Sequence, residues 1–224
     1  MNMTIVNQLI KKDWEMNQGP LMGYMVLGAL ALWLFITEHE MAFMAGLILL
    51  IAVVVVIAIH MVIATIVNER KEQTLTFIMS LPVSYKEYTV AKILANWIVV
   101  GLAWSILYIV MASLILLFDN MPNGLLPYTS MAMLYLLCIF AVLLATAMIS
   151  ENEVVTIVVM TVANITISIF MTFVARMEEI GPFINGPEAV WNSAALSIIA
   201  AQIAVLIGSL VLTIYLQSKK RNFL

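Results

Sequence analysis

The side chains best suited to metal binding or to acid–base and nucleophilic chemistry in this chain are His39, His60 and Cys138. They form no H-E-x-x-H pair, no cysteine cluster and no G-x-S-x-G elbow, so hydrolytic and metal-assisted catalysis lack their usual parts. No G-x-x-x-x-G-K-[ST] loop is present to cradle phosphates, which sets aside ATP hydrolysis by this polypeptide. Cys138 has no second cysteine to pair with and reads as a small core residue. Uphill work by such a chain needs energy delivered through contact with a partner.

Two patterns of polar residues remain. Thr161, Asn164, Ser168 and Thr172, spaced +3, +4 and +4, share one face of a helix. Inside a bilayer that face must meet another helix or a wet cavity, because an unpaired amide is costly in hydrocarbon. His60 lies within an apolar run, where it either bonds a neighbouring helix or faces water. The second pattern is Ser84-Tyr85-Lys86-Glu87, a capping box in which the serine hydroxyl accepts from the backbone N–H of Glu87 while the glutamate reaches back.

The elements that position these residues follow from composition. Hydrophobic residues make up 64% of the 224 positions and charged residues 10%, against roughly 45–50% and 25% in soluble domains. Six runs are long and apolar enough to cross a bilayer, 20–37, 41–67, 94–118, 130–149, 154–175 and 193–217. The expected fold is therefore an all-α integral membrane protein, one transmembrane domain over residues 1–224. Residues 3–18 place Val6, Leu9, Ile10 and Trp14 close to one face, which suits an interfacial elbow helix leading into span one, with a frayed tail as the alternative. The outer segment 176–192 holds two Gly-Pro pairs and reads either as short re-entrant pieces or as an ordered loop.

Lys11 and Lys12 precede the first span, Arg70, Lys71, Lys86 and Lys92 lie between spans two and three, and Lys219, Lys220 and Arg221 follow span six. Only Arg176 lies on the other side, so the positive-inside rule places both termini in the cytoplasm. The net charge of −3 reports this sidedness and points to no nucleic-acid partner.

Between spans two and three, residues 68–93 interrupt the apolar sequence. A helix over 68–80 groups Leu75, Ile78 and Met79 on one stripe beside Phe77 and Leu81, with Glu69, Arg70, Glu72 and Gln73 kept wet. Pro82 ends it, since the residue before a proline is pushed out of helical geometry. The capping box then restarts the chain at Tyr85, and the new helix runs through Lys92 into span three. A short surface helix joined by a tight turn to a crossing helix converts a push into a tilt. It would serve equally as an anchor in the interface.

The run Glu69-Arg70, Thr74-Leu75, Ser80-Leu81-Pro82-Val83-Ser84, then Lys86-Glu87 and Lys92, resembles the first cytoplasmic loop of small bacterial ATP-binding-cassette type-2 permeases. The N-terminal LIKKDW stretch, the acidic turn between spans four and five and the chain length extend the resemblance over essentially the whole sequence. It implies that residues 68–93 hold a coupling helix seated in a separate ATPase. Glu69, Arg70, Thr74, Leu75, Phe77, Ile78, Ser80, Leu81 and Pro82 become contact candidates, and Glu151 and Glu153 a smaller second contact unless that turn merely caps a helix. The implied assembly has two permeases, alike or paralogous, and two ATPases that carry ATP and Mg, with no cofactor on this chain. It implies a bacterial inner-membrane exporter working by alternating access. Spans two and five would line the path, with His60, Thr161, Asn164, Ser168 and Thr172 along it and a hydrophobic or amphipathic cargo. The rivals are extrusion of ions or small drugs, and a non-transporting anchor or sensor that recruits an ATPase.

Overall fold

The computed structural model describes residues 2–71 and 83–219. Among them there is no strand, and six helices are long and apolar enough to span a membrane. These are α1 (Met3–Phe35), α2 (Glu40–Lys71), α3 (Tyr85–Leu117), α4 (Leu125–Ser150), α5 (Glu153–Arg176) and α6 (Ser193–Lys219).

Two of the helices depart from expectation in instructive ways. The elbow expected over 3–18 and the span expected from Pro20 form one uninterrupted helix, capped by Asn2, whose side chain accepts from the Thr4 N–H at 3.0 Å. Pro20 lacks an N–H and so forgoes one backbone bond. Packing of α1 along α2 and α3 holds the helix through that gap. The face of α1 turned inward is also not the one expected. Val6 and Leu9 are buried against Ala91 of α3, Trp14 is exposed, and the buried stripe continues through Asp13, Asn17 and Leu21. In α2, the stretch Ile63–Val67 is a π-helical turn, after which α-helical geometry returns for Asn68–Lys71.

The hydrophobic effect gives little reason for helices to associate in lipid, so close approach and polar bonds must hold the bundle. Gly46 of α2 faces the α1 backbone, where a Cβ would stand 2.5 Å from the Phe35 nitrogen. The largest core side chains, among them Phe35, Leu50, Ile57, Met61, Leu107, Met111, Phe140 and Met148, fill the space among α1 to α4. Helices α5 and α6 pack on α4 from outside. Gln202 donates to the Met131 carbonyl at 3.0 Å, and Cys138 donates to the Gln202 carbonyl, so two polar bonds pin α6.

The first and last of the described residues lie at one end of the bundle. The Asn2 backbone N–H donates to Glu87 at the start of α3, and the Tyr85 hydroxyl donates to Gln217 near the end of α6. At the opposite end the segment between α5 and α6 contains a single 3₁₀ turn, Gly181–Phe183, and no α-helix. It is latched to the start of α4 by a bond from the Gly124 N–H to the Gly186 carbonyl at 3.0 Å.

Candidate functional site

At the end where α1 begins and α6 finishes, the capping box forms as its spacing predicts. The Glu87 N–H donates to Ser84 Oγ at 3.3 Å, and the Ser84 N–H donates to Glu87 Oε2 at 2.9 Å. Helix α3 starts at Tyr85 and runs unbroken to Leu117. Thr74, Leu75, Phe77, Ile78, Ser80, Leu81 and Pro82 lie outside the described residues, so the site is read from the two flanks of 72–82.

On the entering flank, Arg70 and Lys71 join the turn between α4 and α5. Arg70 Nη1 donates to the Ala147 carbonyl at 2.8 Å and Nη2 stands 4.0 Å from Glu151, while Lys71 Nζ is 3.0 Å from Glu153. The structure thus brings Arg70, Glu151 and Glu153 together around a groove of about 230 Å³. Ser150-Glu151-Asn152-Glu153 has the spacing of a capping box, yet Ser150 is not the cap. Ser150 ends α4, bonding the Thr146 carbonyl, and Asn152 caps α5 by accepting from the N–H groups of Val154 and Val155. Glu151 between them takes left-handed geometry, φ 54°.

Glu69 is not wet. It is 7% exposed and belongs to a cluster of charges where α1, α2 and α3 meet. Lys92 Nζ, fully buried, lies 2.9 and 2.8 Å from the two Asp13 oxygens and 2.8 Å from Glu69 Oε1. Lys12 Nζ reaches the same Glu69 oxygen at 2.5 Å, and the Tyr88 hydroxyl donates to the other at 3.1 Å. An ion of either sign buried without such partners costs several kcal/mol, so the cluster forms as a set or not at all. Sequence reasoning missed it. The available signal was Val6, Leu9, Asp13, Asn17 and Leu21, which put a carboxylate and an amide on the inward stripe of α1.

Further polar bonds extend inward from the cluster. Asn17 Nδ2 donates to the Asp13 carbonyl at 2.7 Å, which turns its Oδ1 to His60 Nε2 at 3.1 Å. That places the proton on Nε2 and leaves Nδ1, 3.4 Å from the Tyr24 hydroxyl, to accept. Asn96 donates to Thr65 of the π turn at 2.8 Å. His60 therefore bonds α1, one of the two alternatives its sequence position left open.

Thr161, Asn164, Ser168 and Thr172 are all exposed on α5. Thr161 bonds back to the Ile157 carbonyl and one Asn164 N–H to the Met160 carbonyl, both at 2.9 Å. Buried positions on α5 are Thr156, Ile167 and Val174, on the side turned to α4. The stripe and His60 are not brought together within the chain.

Six helices long and apolar enough to cross a bilayer, with charged groups gathered where their ends meet, define a multi-pass membrane protein. Residues 8–219 match the ABC-2 family transporter protein family, and the chain belongs to that family. Neither a curated protein nor a solved structure matches it. It is accordingly a permease subunit of an ATP-binding-cassette transporter, in a family that associates with an ATP-binding-cassette ATPase and is generally non-catalytic itself.

Proposed function

We propose that the chain is the membrane subunit of a bacterial inner-membrane exporter, with both termini in the cytoplasm, that moves a hydrophobic or amphipathic cargo by alternating access. Two copies, or one copy and a paralogue, pair through α5, and two ATPases holding ATP and Mg engage 72–82 and the Glu151–Glu153 turn. The observation that carries this reading is the uncovered polar stripe on α5. In lipid, Asn164 keeps an amide N–H and a carbonyl oxygen without partners among the described residues, a state that hydrocarbon penalises and that a second copy or a water-filled path relieves. The apolar residues around it, Val162, Ile165 and Ile169, suit a cargo with little fixed charge. Closure of the ATPases would press the flanks of 72–82 and tilt α3.

Purified permease and ATPase in sealed vesicles provide the test, with a fluorescent amphipathic peptide as probe cargo. ATP-dependent movement of the peptide is the expected result. ATPase binding without flux of that peptide or of labelled lipid would overturn the exporter reading.

A further inference from the structure

The charge cluster at the feet of α1, α2 and α3 has no part in the coupling scheme just described, which needs only 72–82 and the helices on either side of it. Yet Glu69 stands three residues before that segment and Lys92 ten after it, and Lys92 joins Glu69 to Asp13 of α1, 79 residues from Lys92 in sequence. We propose that Asp13, Glu69 and Lys92 are positioning residues for coupling, which make the N-terminal half of α1 move as one body with the feet of α2 and α3. Helix α1 is then a third limb of the transmission. This inference rests on the permease reading above.

Buried ion pairs are poor devices for stability, since well-packed apolar residues of similar volume often do as well or better. In a bundle made almost wholly of such residues, paired charges at one joint serve geometry. Lys92 holds both Asp13 oxygens and one Glu69 oxygen, and Lys12 and Tyr88 close the remaining positions on Glu69. Charge-assisted bonds in a water-poor site resist sliding, because lipid tails offer no replacement partners and little water reaches Lys92 or Asp13.

Neighbouring bonds brace the same joint. Asn17 bonds the Asp13 backbone carbonyl one turn back and reaches His60 of α2, and Asn96 ties α3 to Thr65 of α2. Below it, Val6 and Leu9 pack on Ala91, and the Asn2 N–H reaches Glu87, so α1 and α3 are joined over several turns. The π turn sets the register. It inserts one residue, a rotation of about 100°, without which Asn68 would face Lys92 and Glu69 would swing toward Glu151.

The test measures distances by pulsed electron spin resonance in the permease assembled with its ATPase in lipid nanodiscs, without nucleotide and with ATP and vanadate. Cys138→Ser removes the single native thiol, and labels go on exposed Met16, Leu94 and Val154 of α1, α3 and α5. The expected result is a vanadate-dependent shift between Leu94 and Val154 with an unchanged Met16–Leu94 distance. In the combined variant Asp13→Asn, Glu69→Gln, Lys92→Met, which buries no net charge, the Met16–Leu94 distance should broaden and become nucleotide-dependent while ATPase capture is kept. Lys92→Arg, retaining the charge, should keep it narrow.

If Leu94–Val154 shifts and Met16–Leu94 shifts with it in the unmodified cluster, α1 is no limb of the transmission and this inference alone is overturned. If the combined variant behaves as the parent, the charges are not what ties α1. If vanadate moves neither distance, the coupling reading fails and the inference falls with it. A combined variant that does not fold leaves the parent's two distances to decide.

Discussion

Two polar regions of this bundle obey the same rule of the bilayer and meet it in opposite ways. At the feet of α1, α2 and α3, ionised groups are buried and saturated, every charge finding its partner inside the chain. On α5, neutral polar groups face outward, and two of them do no more than bond back to their own helix. A saturated region is closed to outside partners and can serve as a fixed point. An unsaturated one is complete only when something else arrives. On the proposed reading, the first belongs to the frame of the permease and the second to its moving or paired surface.

The largest effect should come from breaking the saturated side. Lys92→Met leaves Asp13 and Glu69 buried without their shared cation, a change that costs about 3–5 kcal/mol. A sharp loss of thermal stability in detergent, or of folded protein, is the readout. A variant as stable as the parent would show the foot to be wet rather than sealed. On the unsaturated side, Asn164→Leu should leave folding and membrane insertion intact and lower peptide transport by about tenfold, roughly 1.4 kcal/mol in barrier. Loss of folding instead would make the stripe an internal seam and erase the contrast.

Ser84→Ala removes one arm of the capping box and should cost about 1 kcal/mol, seen as a modest drop in melting temperature with ATPase capture unchanged. The smallest effect is expected from deleting Ala64. Removing the extra residue of the π turn restores plain helix with Glu69 still facing Lys92, so stability should change by less than about 1 kcal/mol. A fall as large as that of Lys92→Met would mean that the turn's shape holds the cluster, and not only its register.

How much of this could be read from sequence depended on the range of the interaction. The helix start at Ser84 was legible because a capping box spans four residues and needs nothing else. The polar face of α5 was legible from its +3, +4, +4 spacing, although which neighbour covers it was not. The charge cluster was hidden by the positive-inside count itself. That count treats Lys12 and Lys92 as markers of a wet side, whereas the buried Lys92 depends on carboxylates 23 and 79 residues distant. The π turn left no local mark, since its extra residue is accommodated by Thr65 and Asn96 across two helices. Pro20 misled in the other direction, marking a boundary that packing overrides.

Glu151 carries a last consequence. A side chain in left-handed geometry is disfavoured by about 1–2 kcal/mol relative to ordinary helix, and glycine would sit there without complaint. A carboxylate occupies the position instead, 4.0 Å from Arg70 and at the rim of the groove that Arg70 and Lys71 line. On the proposed reading, Glu151→Gly should yield a permease that melts higher in detergent and captures its ATPase less well, as a joint shaped for contact at the expense of its own ease would.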